Sequence, residues 1–114
     1  LTTNNLLASA QVTASGIYYI IEEPGNTVRP GLNDVVKCNY KGYYPNEDVF
    51  DSNQNSSFTL GATIEGWRQG IPLIGEGGSV RLFIPSVLAY GKAGRGDIPR
   101  NQELFFDVDL IKVN

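Results

Sequence analysis

From Ile17 onward the chain reads as short runs of alternating apolar and polar residues broken by glycine and proline, the period of strands that bury one face. Ile17-Tyr18-Tyr19-Ile20-Ile21-Glu22 is β-branched and aromatic and stops at the turn Glu23-Pro24-Gly25-Asn26, so a first strand is expected there, beginning near Gly16. Pro30-Gly31 marks a second turn, and Asp34 to Lys41 resumes the alternation until Gly42 interrupts it. Val49-Phe50-Asp51-Ser52 reads as a short strand, Asn53-Gln54-Asn55-Ser56-Ser57 as a loop by composition, and Phe58-Thr59-Leu60-Gly61 as a brief return to strand. In Ser79 to Pro85, Val80, Leu82 and Ile84 share one face while Arg81 and Phe83 take the other. The clearest strand is Glu103 to Val113. There Leu104, Phe106, Val108 and Leu110 face one way and Phe105, Asp107, Asp109 and Ile111 the other, which predicts a central antiparallel strand with one buried face.

Helical spacing occurs in one place. Ile64, Trp67, Ile71 and Ile74 recur at intervals of three, four and three, which predicts one short helix that Pro72 ends or breaks. Ser86 to Gln102 is rich in glycine and too long for a hairpin, a length at which loops are functional or disordered. The sum is an α+β domain over residues 16–114, an antiparallel sheet of about five strands packed on one short helix. Residues 1–15, LTTNNLLASAQVTAS, lack periodicity and read as a flexible tail or tether.

Composition then removes chemistry. At 114 residues and 41% hydrophobic content the chain fits one domain with one core. The 12 acidic and 9 basic residues are scattered, which makes nucleic acid a poor partner. Histidine is absent, so Ser-His and Cys-His nucleophile pairs, histidine bases and most zinc sites cannot be built. The single cysteine, Cys38, shares a strand face with Val36 and Tyr40 and reads as a small buried hydrophobe. No metal and no cofactor is expected. No apolar run reaches the roughly 20 residues that span a bilayer, so no membrane insertion by this domain is expected. The sequence has no methionine and begins at Leu1, so its natural start is expected to have been removed. The polar opening fits a tether of an exported envelope protein, which sets the cell envelope or periplasm ahead of the cytoplasm, and a monomer is expected.

What remains is a set of aromatic residues beside loops. Tyr40, Phe50, Trp67, Tyr90 and Phe106 lie on different elements, each next to a glycine, an aspartate or a loop boundary. Aromatic residues of a small domain ordinarily form its core, and the pattern alone leaves packing and binding both open. Asp51 has an ordinary role available as a turn acid, and Tyr90 as a rim aromatic facing water.

Taken in order, Asn39-Tyr40-Lys41-Gly42, Val49-Phe50-Asp51-Ser52, Ile64-Glu65-Gly66-Trp67, Ile84-Pro85 with Leu88-Ala89-Tyr90-Gly91, Ile98-Pro99 and Leu104-Phe105-Phe106-Asp107-Val108-Asp109-Leu110 resemble the FKBP-type peptidyl-prolyl isomerases. The resemblance covers roughly Gly16 to Val113, and Gly70-Ile71-Pro72-Leu73-Ile74-Gly75-Glu76-Gly77-Gly78 looks most like bacterial members. It implies a curved five-stranded antiparallel sheet, a half-barrel, wrapped around one short α-helix. It also implies a peptidyl-prolyl cis-trans isomerase that assists protein folding, with proline-containing polypeptides as substrates and the macrolides tacrolimus or rapamycin as ligands. Carried over by position, Trp67 is the pocket floor and Tyr40, Phe50 and Phe106 are its walls. Ile64 offers contact and a backbone N–H to the carbonyl after the proline, Tyr90 a rim hydroxyl, Asp51 a carboxylate beside the twisting amide, and Ile98 a closing contact from the long loop. Asp51, Tyr90, Phe50 and Phe106 are the catalytic candidates; Thr63 joins the substrate-binding set.

The chain departs from the family at the rim. The segment between Phe50 and Leu60 is short, and the aromatic often found there has no counterpart, with Ser56 or Ser57 falling nearby. Thr63 stands where an apolar residue is common, and Arg95 and Asp97 where others carry a histidine or apolar residues. Arg68, Arg95 and Arg100 are read as a solvated face. The alternative to an active isomerase is a chaperone-like or scaffold module that holds peptides in the same pocket with little turnover; a structural β domain at the cell surface, needing no pocket, is more remote.

Overall fold

The apolar face of Leu104, Phe106, Val108 and Leu110 lies at the centre of the molecule, each residue 5% exposed or less. The structure is a computed structural model describing residues 10–91, 94–96 and 98–114. The alternating runs become strands β1 (Gln11–Val12), β2 (Tyr18–Glu23), β3 (Val35–Tyr43), β4 (Val49–Thr59), β5 (Ser79–Ile84) and β6 (Leu104–Val113). They form one antiparallel sheet in the order β1-β2-β5-β6-β3-β4, with β6 held between β5 and β3 as its pattern requires. Helix α1 (Glu65–Gly70) continues into a 3-10 turn, Ile71–Leu73, and Pro72 sits within that turn, where its missing N–H is least costly.

The helix meets the sheet through glycine. Gly66 and Gly70 are one turn apart on α1 and buried, and each lies directly on a β5 side chain. A Cβ on Gly66 would stand 2.6 Å from Ile84 Cγ2 and 2.8 Å from its Cγ1, and one on Gly70 would stand 2.6 Å from Leu82 Cδ2. The missing side chains let the helix backbone settle onto Ile84 and Leu82, and Trp67 between them then enters the core at 5% exposure.

Three departures of the structure from the expected sheet have a clear physical cause. Residues 53–57, read as a loop, lie inside the continuous strand Val49–Thr59. Between Cys38↔Ser56 and Tyr40↔Asn53 the register slips, so Gln54 and Asn55 face Asn39 alone. Asn55 takes φ 53°, which asparagine tolerates, and its N–H donates to Asn39 Oδ1 at 2.8 Å. A bulge therefore accommodates the polar run. The sheet also has six strands instead of five, because β1 pairs Gln11 with Tyr19 and Val12 with Tyr18 inside the stretch read as tail. A two-residue strand carries no period; its register is set by the Thr13–Gly16 turn, in which Gly16 adopts φ 99°. Residues 1–9 of the expected tail lie outside the described residues, as does Asp97.

Thirdly, the sheet's second face is not wholly solvent-facing. Phe83 and Phe105 are both 4% exposed, meet edge-on with ring centroids 4.7 Å apart, and are joined by Tyr43. Tyr43 donates its hydroxyl to Asp107 at 3.1 Å, and Arg81 pairs with Asp107 and Glu22. Burial and the Asp107 carboxylate raise the Tyr43 phenol well above its ordinary range.

Cys38 is fully buried, and burial together with the Asp109 charge pushes its thiol up to about 11. We expect it to resist alkylation at pH 8 in the native protein and to react within seconds to minutes in denaturant; equal rates in both conditions contradict the buried placement. Because the folded thiol holds its proton more tightly than the unfolded one, its contribution to stability is complete below the unfolded value of about 9 and declines as pH rises through about 11.

Candidate active site

Where α1 faces β3, β4 and β6, the side chains leave a cavity of about 530 Å³. That lies within the roughly 300–1,000 Å³ of small-ligand pockets. Its lining comes from Tyr40 on β3, Phe50, Asp51 and Phe58 on β4, Ala62, Thr63, Ile64 and Trp67 around the start of α1, Phe106 on β6, and Tyr90 and Arg95 on the long loop. Trp67 is the base. The rings of Tyr40, Phe58 and Phe106 stand at 78°, 88° and 83° to its indole, with centroids 5.2, 5.4 and 5.4 Å away. Three near-perpendicular rings on one flat indole make an open-topped apolar box. Phe50 extends the wall, edge-on to Phe106 at 5.6 Å.

Adjacent strand residues ordinarily point to opposite faces, yet Phe50 and Asp51 both line the cavity. The cause is a second slip in register: Gly42 faces Asp51 and Tyr43 faces Val49, leaving Phe50 as the extra residue. Such bulges re-aim side chains. Gly42 makes room for the result, since a Cβ there would stand 2.6 Å from Phe50 Cζ and 2.8 Å from Phe106 Cε1.

Polar groups come from Tyr40, Asp51, Thr63, Tyr90 and Arg95. Tyr40 donates its hydroxyl to Asp51 Oδ2 at 2.7 Å, a partnership that sequence spacing does not reveal. Burial first, and the bond to Asp51 second, raise the Tyr40 phenol above its ordinary value. Thr63 donates to the Leu60 carbonyl at 2.7 Å, so its hydroxyl is satisfied locally and its methyl can face the cavity as an apolar residue would. Ile64 caps α1 through its carbonyl, which accepts from Trp67 and Arg68, while its own N–H has no acceptor among the described residues.

The long loop is folded through its own backbone. Ser86–Leu88 is a 3-10 turn, Gly91 donates to Ser86, and Asn101 donates to Gly91. These bonds carry Tyr90 to the cavity mouth.

The structure thus brings Tyr40, Phe50, Asp51, Thr63, Ile64, Trp67, Tyr90 and Phe106 to one cavity. Ile98 is half-buried and packs against the core without lining it. Three lining residues fall outside the expected substrate-binding set: Phe58, Ala62 and Arg95. Phe58 supplies an aromatic wall on β4 where only Ser56 or Ser57 was expected, because the bulge at Asn55 restores the inward alternation of Ser56 and Phe58. Arg95, read as part of a solvated face with Arg68 and Arg100, is exposed as that reading expects and also lines the mouth, its guanidinium 5.7 Å from the Tyr90 ring centroid. Arg68 is half-buried and paired with Glu65 at 3.4 Å, and Arg100 is exposed.

An antiparallel sheet with a short helix and an aromatic box between them, with no nucleophile–base pair among the described residues, is the arrangement of a known class. The chain belongs to the FKBP-type peptidyl-prolyl cis-trans isomerase family, whose model matches residues 26–111. Among individual proteins it is similar to the FKBP-type peptidyl-prolyl cis-trans isomerase FkpA of Aeromonas hydrophila, at 36% identity over 99% of this chain and 44% of that protein. The crystal structure of FkpA from Escherichia coli superposes with a TM-score of 0.90 at 38% identity, covering 92% of this chain and 51% of that one. The peptidyl-prolyl cis-trans isomerase from Pseudomonas syringae pv. tomato superposes with a TM-score of 0.87 at 34% identity, covering 92% and 80%. The chain spans about half or less of the curated relatives it matches, from 40% to 51% of their length.

Proposed function

We propose that this domain is a peptidyl-prolyl cis-trans isomerase that speeds rotation about X-Pro bonds in polypeptides and so assists folding steps limited by that rotation. The observation that carries the proposal is the box of Tyr40, Phe58 and Phe106 standing on Trp67. A prolyl ring is compact, apolar and small enough to lie on the indole. Its amide then sits at the mouth, beside Asp51 and Tyr90.

The rotation barrier of about 18–20 kcal/mol arises from amide resonance. Twisting the bond removes resonance and its charge separation, so a dry apolar pocket favours the twisted form over the planar one. Fixed donors hold the flanking chain: the Ile64 N–H takes the carbonyl after the proline, and the Tyr90 hydroxyl acts at the rim. Asp51 lies beside the twisting amide, oriented by Tyr40. No proton transfer and no covalent intermediate is needed, which suits a chain without histidine.

The test is a prolyl-peptide isomerisation assay across several residues before the proline. Acceleration supports the proposal; saturable peptide binding without acceleration supports a holding module instead. Asp51→Ala is expected to lower kcat/KM about tenfold by removing a charged hydrogen-bond partner, while stability of this exposed position changes by about 0.5 kcal/mol or less. A larger loss of stability than of activity makes Asp51 structural. Because the pocket floor is the only tryptophan, we also expect tacrolimus or rapamycin to change the Trp67 emission; an unchanged spectrum at high excess counts against an open pocket.

A further inference from the structure

Among the described residues, Asp51 and Arg95 are the charged side chains that line the cavity. Asp51 is engaged by the Tyr40 hydroxyl at 2.7 Å, and among the described residues no ion pair joins it to Arg95. Arg95 is held at the mouth from two directions. Its N–H donates to the Ile98 carbonyl at 3.0 Å and its carbonyl accepts from the Ile98 N–H at 2.8 Å, closing a tight turn with Gly96 at φ 54°. Gly94, immediately before it, donates to the Tyr90 carbonyl at 3.1 Å, which ties the turn to the rim residue itself. The guanidinium lies over the Tyr90 ring, within the range of a cation–π contact.

A positive charge fixed beside the rim, on a chain of net charge −3, has a consequence for which substrates enter. A prolyl ring in the box carries its neighbouring residues across the mouth, because the chain continues from both sides of the ring. We propose that Arg95 is a specificity-determining residue that selects an acidic side chain flanking the proline. The inference rests on the reading of the domain as a prolyl isomerase. A planar guanidinium offers two parallel N–H donors to a carboxylate, and the cation–π contact with Tyr90 favours its place beside the mouth. A lysine-flanked proline meets like charge at the same place.

The experiment uses two series of short peptides, with Glu, Ala or Lys immediately before the proline in one and immediately after it in the other. In low salt we expect kcat/KM for Glu to exceed that for Lys by about threefold to tenfold in at least one series, the scale of a solvent-accessible charge contact. Arg95→Ala should bring that ratio close to one, Arg95→Glu should invert it, and Arg95→Lys should keep its direction. About 0.5 M salt should shrink it in the parent protein. A Glu:Lys ratio near one in both series, or a ratio that survives Arg95→Ala, overturns the assignment. The Ala peptides separate this failure from that of the isomerase reading. If they are accelerated while Glu and Lys do not differ, only the role of Arg95 falls, and if no peptide is accelerated both fall.

Discussion

Replacing Phe106 with alanine is expected to lower stability by about 3–5 kcal/mol and to abolish measurable isomerisation together. Phe106 is 5% exposed on the central strand, between β5 and β3, and its ring touches both Trp67 and Phe50 edge-on. Truncation removes one wall of the box and leaves a void in a core that the flanking strands cannot close without breaking their ladders. Chemical denaturation gives the first quantity, and the denaturant slope should stay unchanged if the native state alone is affected. Phe106→Leu separates the two effects: it refills much of the volume, so stability should recover more than activity. If Phe106→Leu restores both equally, the ring acts as filler and not as a pocket wall.

Gly66→Ala sets two effects against each other. Alanine favours a helix over glycine by roughly 1 kcal/mol. The new methyl, however, meets three carbons of Ile84, two of them at 2.6 and 2.8 Å, and Ile84 is itself 1% exposed. A β-branched side chain so enclosed has no free rotamer to retreat to, so the helix must lift from the sheet. Overpacking of this kind costs about 1–3 kcal/mol and wins. The lift also moves Trp67, the next residue, so peptide affinity should fall with stability. Ile84→Ala combined with Gly66→Ala should cost less than the sum of the single changes, because each relieves the other. Strict additivity contradicts direct contact.

These residues also mark how far the sequence could be read. The period-two face of β6 and the three-four-three spacing of α1 were legible because burial imposes them over many residues. The family motifs, taken in order, identified the floor and walls. Phe50 beside Asp51 was legible only through that resemblance, since strand alternation denies that two neighbours share a face; the slip opposite Gly42 and Tyr43 allows it. Phe58 was missed for a related reason. Reading Asn53 to Ser57 as a loop ignored that asparagine can occupy a bulge at positive φ, as Asn55 does at 53°, and a strand continued through the bulge brings Phe58 to the pocket. Arg95 was read as solvated and is exposed, but its place at the mouth depends on a turn closed by backbone bonds to Ile98, which composition does not encode. The pairing of Tyr40 with Asp51 follows from the β3–β4 register and was equally out of reach.

The central claim is that the Trp67 box turns X-Pro bonds over, beyond holding them. Exchange NMR on one proline-containing tetrapeptide tests it most directly, because cis and trans signals report binding and interconversion in the same tube. With the domain at a small fraction of the peptide concentration, we predict magnetisation transfer between the two isomers within seconds, against tens to hundreds of seconds uncatalysed. Chemical-shift changes or line broadening on binding, with cis–trans exchange no faster than in buffer, contradicts the account and leaves a peptide-holding module.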